Sequence, residues 1–341
     1  MDRVVAVVTE VPLDDLPTGP QRRALSTLAW LGDNGVPAVP LSAHTASASG
    51  LGFRAYSTLT ATARIRRDLR SAGATTAFVV GLGAPHLLLV AAALSRTHHV
   101  IYDACDSWHL QVAARRGSSA STLPSRAGLL LQRVAARKIR LITYISSRDA
   151  EADARLVGPG QQRVLGIRAD PALAGIQPMT GPVQRLVVPA DLKSFHNSAF
   201  TRAWLSVAAQ AAQKYTKRPL EIYGPNAGDM VLPSTARHMG WAPSLAHIYD
   251  GNTAVLITNV AGSGVPNKFV EAQAARRPII AHESLDYVDR TGNSPVHWFA
   301  DIDQLDEAVR AAVNGEEGDR SERAGAGGAA CPSLSLSDFP V

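Results

Sequence analysis

Hydrophobic positions follow two different periods along the first half of the chain. Short β-branched runs predict buried strands, and longer segments with apolar residues at helical spacing predict helices. The predicted strands cover residues 4–8, 36–41, 76–80, 99–102 and 141–145. The predicted helices cover residues 21–31, 56–71, 85–95, 128–138 and 147–157. Because strands and helices alternate, this half is expected to form a parallel sheet with helices on both faces.

The alternation stops over residues 169–184, where three prolines and two glycines are typical of an interdomain linker. It then resumes. The second set of strands is predicted at 185–188, 220–223, 254–258 and 278–281, with helices at 199–214, 266–275 and 302–313. In open parallel sheets, ligands bind outside the carboxyl ends of the strands. Two such sheets joined by a linker predict a cleft that both carboxyl edges face.

These patterns divide the chain into four parts. We predict an N-terminal Rossmann-like domain over residues 1–168, a linker over 169–184 and a C-terminal Rossmann-like domain over 185–314. Residues 315–341 are rich in glycine, alanine and serine, a composition that predicts a disordered tail.

Composition narrows the class of protein. The 341 residues are 46% hydrophobic with a formal net charge of +5, which excludes disorder over most of the chain. The longest apolar run, residues 81–94, is interrupted by Pro85 and His86 and is too short to span a bilayer. No secretory signal pattern is seen at the start, so we expect a cytoplasmic protein. With only Cys105 and Cys331, neither a disulfide framework nor a thiolate zinc site is expected.

Charge is distributed unevenly. Residues 1–168 contain 20 Lys and Arg against 11 Asp and Glu, whereas residues 169–341 contain 14 against 18. A basic first half suits a phosphate-bearing ligand or peripheral contact with the inner membrane face, although an arginine-rich genome would leave the same bias. Nucleic acid is not an expected partner, because aromatic residues are only 6% and no base-reading module is recognisable.

The most informative segment runs from residue 255 to residue 283. A predicted strand ends near Thr258, a loop with Gly262, Ser263 and Gly264 follows, and a helix begins near Pro266. Glycines let the backbone approach a ligand closely, and the N–H groups of a helix start suit an anion. Lys268 would add charge to a phosphate site, and Glu271, one turn later, would reach a ligand hydroxyl. A tight strand–helix connection with a Lys–Glu surface pair is the competing interpretation.

This segment resembles the donor-binding segment of GT-B glycosyltransferases, in particular the retaining family-4 group. The resemblance rests on Gly262-Ser-Gly264, Lys268, Glu271-Ala272 and the strand Arg277-Pro-Ile-Ile-Ala281. It extends to other stretches of the chain. They include the strand ending in Gly224, the glycine-aromatic turn at Gly240-Trp241, and the Asp-x-x-Asp-x-Trp pattern formed by Asp103, Asp106 and Trp108.

The resemblance implies transfer of a sugar from a nucleotide diphosphate sugar to an acceptor, with retention of configuration and without a metal or other cofactor. It implies a donor site formed by Lys193, Gly224, Trp241, Gly262, Ser263, Gly264, Lys268 and Glu271. The acceptor would be a small molecule, a natural product, a glycolipid or a peptide, and would contact Gly19, Gln21, Arg22 and Trp108. Asp103 or Asp106 would orient the acceptor hydroxyl or take its proton. A turn with Asp106 as a helix N-cap is the alternative for this pair.

The sequence departs from the family at several places, two of which concern the donor site. Ser263 stands where the first of two paired glutamates is usual, and Lys193 is the nearest cation to the position of a usual basic pair. A non-catalytic glycosyltransferase-like binding protein, or another nucleotide-sugar enzyme such as an epimerase, therefore remains an alternative. Asp301-Ile-Asp303 has the form of a metal motif, but it opens a predicted helix and is expected to cap it.

Overall fold

The computed structural model describes most of the chain. The described residues are 4–10, 13, 19–43, 51–81, 86–115, 130–190, 195–224, 231–259, 264–288, 294–318 and 332–339. They divide into two compact units: the first consists of Met1–Ile167 with Ala329–Val341, and the second of Arg168–Gly328.

The first unit contains a six-stranded parallel sheet. Its strands are β1 (Val4–Thr9), β2 (Ala38–Ser42), β3 (Ala74–Val80), β4 (His99–Cys105), β5 (Leu141–Tyr144) and β6 (Gln162–Val164). Its helices are α1 (Gly19–Asp33), α2 (Leu51–Ser71), α3 (Leu87–Leu94), α4 (Trp108–Arg115), α5 (described over 130–136) and α6 (Ser147–Ala152). The strand order is β2-β1-β3-β4-β5-β6, and all pairs are parallel.

The second unit contains another six-stranded parallel sheet. Its strands are β7 (Arg185–Pro189), β8 (Leu220–Tyr223), β9 (Ala236–Gly240), β10 (Thr253–Leu256), β11 (Ile279–His282) and β12 (Val296–Phe299). Its helices are α7 (Phe195–Thr216), α8 (Leu245–Tyr249), α9 (Asn267–Ala274) and α10 (Ile302–Asn314). The strand order is β12-β11-β10-β7-β8-β9, again with parallel pairs throughout.

Both sheets are covered by helices on two faces, which explains the strands' continuous apolar runs. In β1, alternate residues such as Val5 and Val7 face one apolar cluster, while Ala6 and Val8 face the other. In the second unit, Leu186 and Val188 pack on one face of the sheet and Val187 on the other. The predicted fold class, two doubly wound α/β units, is confirmed.

The predicted linker is part of the second unit rather than a bare connection. Residues Pro171–Gly175 form a short 3₁₀ helix, capped by Asp170, whose carboxylate accepts a hydrogen bond from Ala172 N. Leu173 is fully buried in the apolar cluster that also contains Val187 and Phe269. These residues therefore contribute to the core beneath α8 and α9.

The prediction of a disordered tail is wrong for residues 332–339, which we call the C-terminal segment. Val164 N donates to Pro332 O, and Leu334 N donates to Val164 O, so the segment pairs with the edge strand β6. Leu334 and Phe339 are buried in the first unit. The tail was predicted from its glycine-rich composition as a whole, so Leu334 and Phe339 were not recognised as buried positions.

The predicted cap at Asp301 is confirmed, since its carboxylate accepts hydrogen bonds from Asp303 N and Gln304 N at the start of α10. Within the described residues, the helices include none with the length and apolar character needed to cross a membrane.

Candidate functional site

The first candidate site lies at the carboxyl edge of the second sheet, between β10 and α9. Thr258 follows β10 by two residues, and Gly264 precedes α9 with a left-handed φ of 79°. A side chain would be strained in this conformation, which explains the glycine. The Tyr287 hydroxyl donates a hydrogen bond to Gly264 O, which fixes the end of the loop before α9. Gly262 and Ser263 lie outside the described residues.

Lys268 points back from the first turn of α9 toward the end of β10. Its ammonium group donates to Thr258 Oγ1 over 2.7 Å. Burial lowers the pKa of Lys268 to about 7, and the nearby Glu271 carboxylate favours the charged form. Partial removal of an ammonium group from water costs free energy, which nearby negative charge offsets. The phosphate of a bound ligand would supply such charge.

Glu271 is held by a residue that the sequence analysis missed. Its side chain is 6% exposed, and its Oε2 accepts a hydrogen bond from the Tyr249 hydroxyl over 2.7 Å. Tyr249 ends the short helix α8, and its carbonyl accepts from Arg277 Nε over 2.6 Å. Arg277 is fully buried and also donates to Gln177 O. These hydrogen bonds fix the orientation of the Glu271 side chain. Because Glu271 is buried, the competing interpretation of a surface pair between Lys268 and Glu271 does not fit.

The other predicted donor residues occupy the same edge of the second sheet, on the far side of β7. Gly224 follows β8 with φ 128°, and its N–H donates to Gly240 O over 2.9 Å. Its carbonyl accepts from His238 Nε2 over 2.6 Å. Trp241 follows β9 and is 72% exposed. Lys193 lies outside the described residues.

In the first unit, Asp103 is a structural residue, and the prediction that it faces substrate is corrected. Its Oδ2 lies 2.7 Å from Arg23 Nε, its Oδ1 lies 2.9 Å from Arg23 Nη2, and Thr143 Oγ1 donates to Oδ1. Both charged side chains are shielded from solvent. Arg23 also donates to Gly166 O and thereby connects α1, β4 and the end of the unit's first chain segment. Because both side chains are buried and paired with each other, Asp103 is not accessible to an acceptor hydroxyl in this structure.

Asp106 has a different environment. It is partly exposed just after β4, and Gln111 Nε2 lies 3.4 Å from its Oδ2. Burial, and then the negative charge of Asp149, raises the pKa of Asp106 to about 7. A carboxyl with such a pKa can exchange a proton near neutrality.

The alternative of Asp106 as the N-cap is wrong, because Ser107 and Asp153 cap α4. Leu110 N donates to Ser107 Oγ, and the Asp153 carboxylate accepts from Trp108 N, His109 N and Ser107 Oγ. Asp149 accepts from Ser107 N and is itself bonded to Ser146, the N-cap of α6. Sequence reasoning missed Asp153 in this role, since it lies 45 residues beyond Trp108.

Two of the four predicted acceptor residues, Gln21 and Trp108, are buried in the first unit. Trp108 is 6% exposed and packs on Tyr102 with ring centroids 6.1 Å apart, so its prediction as an acceptor contact is corrected to a core residue. Gln21 is 3% exposed in α1. Arg22 is partly exposed beside it, and Gly19 begins the helix. Arg22 is therefore the member of this set with a side chain available to solvent. Among the described residues, no three His, Cys, Asp or Glu side chains form a group that could hold a metal ion.

Comparison with known proteins gives relatives by structure alone. No protein-family model matches the chain, and no curated protein matches its sequence. The structure is similar to that of Anabaena HepE in complex with UDP, with 12% identity and a TM-score of 0.58 over 92% of this chain and 90% of that one. It is also similar to sucrose-phosphate synthase from Thermosynechococcus elongatus, with 12% identity and a TM-score of 0.58 over 93% and 95%. The apo lipopolysaccharide outer core galactosyltransferase WaaB matches with 11% identity and a TM-score of 0.54 over 92% and 90%.

Together with the two parallel α/β units described above, this likeness shows that the chain has the GT-B fold that its sequence resembles. At identities of 11–12% the likeness concerns the fold. The chemistry must be argued from the chain's own residues.

Proposed function

We propose that the protein is a glycosyltransferase that moves a sugar from a nucleotide diphosphate sugar to an acceptor hydroxyl. The observation that carries the proposal is Lys268, a half-buried lysine at the start of α9 whose ammonium group donates a hydrogen bond to Thr258 Oγ1. The HepE structures contain UDP and UDP-glucose, which supports a nucleotide sugar as the donor class.

The donor site would act by stabilising the diphosphate as it leaves. Negative charge grows on the phosphate oxygen when the glycosidic bond breaks, and a fixed cation with oriented N–H groups lowers that barrier. Lys268 supplies the cation, and the start of α9 at Asn267 supplies N–H groups. Glu271, oriented by Tyr249, would accept a hydrogen bond from a ribose or sugar hydroxyl. Trp241 would border the base. We propose that this chemistry proceeds with retention and without a metal.

Asp106 is our candidate for the acceptor side. With a pKa near 7 it would orient the acceptor hydroxyl and take its proton as the new bond forms. The acceptor class remains that of the sequence analysis: a small molecule, a natural product, a glycolipid or a peptide. We propose a cytoplasmic location, where nucleotide sugars are made.

A thermal-shift and calorimetric screen with UDP, GDP, ADP, TDP and CMP, and with their sugars, tests this proposal. One nucleotide should raise the melting temperature, because a ligand that binds only the folded state stabilises it. Lys268→Met should weaken its binding by about 1.5–3 kcal/mol, the range for a hydrogen bond to a charged group. The matched control is Lys214→Met, an exposed lysine of α7 in the same unit, which should bind normally. Equal affinity in the Lys268 variant would refute the donor site.

A second candidate is a non-catalytic protein that binds a nucleotide sugar. It is favoured by the burial of Asp103 against Arg23 and of Trp108 in the core, which removes two of the predicted acceptor-side residues. Donor binding without turnover across acceptor mixtures would select this candidate. Turnover of the nucleotide sugar without any acceptor would instead favour an epimerase or a hydrolase.

A further inference from the structure

Helix α5 of the first unit has an unusual exposed face. Its inner side packs Ala135 and Ala136 into the core of the unit. Its outer side exposes three aliphatic side chains: Leu130 is 63% exposed, Leu131 52% and Val134 49%. Because residues three and four apart share one face of a helix, these three form a single apolar stripe.

Cations border this stripe. Arg133 lies on the exposed side of α5, and Arg137, Lys138 and Arg140 follow the helix, all with exposed side chains. These four side chains form no ion pair with any part of the chain that the structure describes. The neighbouring sequence is also positively charged: between Asp106 and Asp149 the chain has eight Arg or Lys residues and no Asp or Glu. We call this surface, formed by Leu130, Leu131, Arg133, Val134, Arg137 and Lys138, the α5 face.

Positive charge continues beyond α5 along the amino edge of the first sheet. Burial lowers the pKa of His99, at the start of β4, and the charge of Arg140 lowers it further. The pKa of the neighbouring His98 is lowered by burial and then by Arg66 and Arg70 at the end of α2. These directions show that Arg140 lies near His99 and that Arg66 and Arg70 lie near His98, while the carboxylate of Asp338 acts on His99 in the opposite sense.

We propose that the α5 face docks the protein on an anionic lipid bilayer. An aliphatic stripe with a basic border is the pattern of helices that lie in the membrane interface, where the apolar side chains enter the acyl boundary and the cations pair with lipid phosphates. Nucleic acid suits this face poorly, because it presents aliphatic side chains and no aromatic ring for base stacking. This inference is independent of the proposed transferase function.

Flotation of the full chain with vesicles tests the docking. We expect binding to vesicles of equal parts phosphatidylglycerol and phosphatidylcholine, weaker binding to phosphatidylcholine alone, and loss of binding as salt is added. Arg133→Gln combined with Arg137→Gln should lower the partition coefficient about 25-fold, from about fivefold for each charge. Leu131→Gln combined with Val134→Gln should also lower it, because less apolar surface enters the lipid.

Matched controls come from the second unit. Arg218→Gln combined with Arg237→Gln removes two exposed cations, and Val231→Gln removes an aliphatic side chain that is 93% exposed. Both controls should bind vesicles like the unaltered chain, and all variants should keep its melting temperature. The proposal is overturned if the full chain ignores anionic vesicles, or if the α5 variants bind them as well as the controls do. It is also overturned if light scattering shows that the α5 variants dissociate an oligomer, since the face would then be covered by protein.

Discussion

At the scale of single residues, the site depends on how burial and charge set the protonation of Lys268. Burial lowers its pKa from 10.5 to about 7. Between those two values the unfolded chain holds a proton that the folded chain has lost. Stability should therefore rise as the pH increases from about 7 to about 10.5. An anion bound beside Lys268 would restore the charged form.

Nucleotide binding should consequently take up a proton above about pH 7. Calorimetry in buffers of different ionisation enthalpy measures this uptake directly. We expect a fraction of a proton at about pH 7 and nearly one proton at about pH 8.5, with affinity falling as the pH rises. Lys268→Met should abolish the uptake and Lys214→Met should leave it intact. Binding heats that do not depend on the buffer would contradict a neutral Lys268 in the free protein.

Asp103 in β4 and Asp106 just after it should respond in opposite ways to substitution. The pKa of Asp106 is raised from 3.8 to about 7, so its ionisation costs the folded state free energy as the pH rises between those values. Asp106→Asn should therefore stabilise the protein at about pH 8, by up to about 4 kcal/mol, and have little effect at about pH 4. Asp103→Asn should destabilise it by about 3–5 kcal/mol, because Arg23 would be left as an unpaired buried charge.

Urea unfolding of both variants across this pH range is the measurement. If Asp106→Asn were destabilising at about pH 8, the folded protein would stabilise the ionised form of Asp106. Its pKa would then not be raised, and its assignment as a proton acceptor would fail. The same variant should lower turnover while leaving nucleotide affinity nearly unchanged, because Asp106 belongs to the acceptor side of the proposed mechanism.

At the scale of elements, whether a strand could be predicted from the sequence depends on its position in the sheet. Central strands such as β1, β3 and β10 are buried on both faces, so their residues form apolar runs that are visible without a structure. The three strands that the pattern missed, β6, β9 and β12, are all edge strands. In β9, Arg237 and His238 interrupt the hydrophobic pattern because one side of an edge strand is open to solvent.

The site was predictable to a similar, limited extent. The order strand, glycine, helix between β10 and α9 follows from local composition, and the structure has Lys268 and Glu271 on the predicted helix. Their partners could not be predicted, because Tyr249 lies 22 residues from Glu271, and Arg23 lies 80 residues from Asp103. Contacts between residues this far apart in the sequence are set by the packing of whole elements. The contact between Asp103 and Arg23 buries Asp103 and leaves Asp106 as the aspartate that a substrate could reach.

At the scale of the whole molecule, the first unit is built from two separate parts of the chain. The C-terminal segment covers the open edge of β6, which would otherwise present unpaired backbone groups. Asp338 pairs with Arg163, with 2.8 Å between Oδ1 and Nη2. Phe339 is 3% exposed and stacks on Trp30 with ring centroids 6.0 Å apart. The segment thus contributes apolar burial, an ion pair and strand pairing to one unit.

Removal of residues 329–341 should therefore destabilise the first unit, although the composition of residues 315–341 predicts no effect. Phe339→Ala should cost about 3 kcal/mol, the lower end for loss of a buried aromatic ring. Leu336→Ala is the matched control within the same segment, since Leu336 is 41% exposed. It should cost about 0.5 kcal/mol or less. Hydrogen exchange of the β6 amides provides the local readout and urea unfolding the global one. Exchange should accelerate in the truncated chain and in Phe339→Ala, but not in Leu336→Ala. Equal protection of β6 in all four proteins would mean that the segment contributes nothing to the first unit in solution.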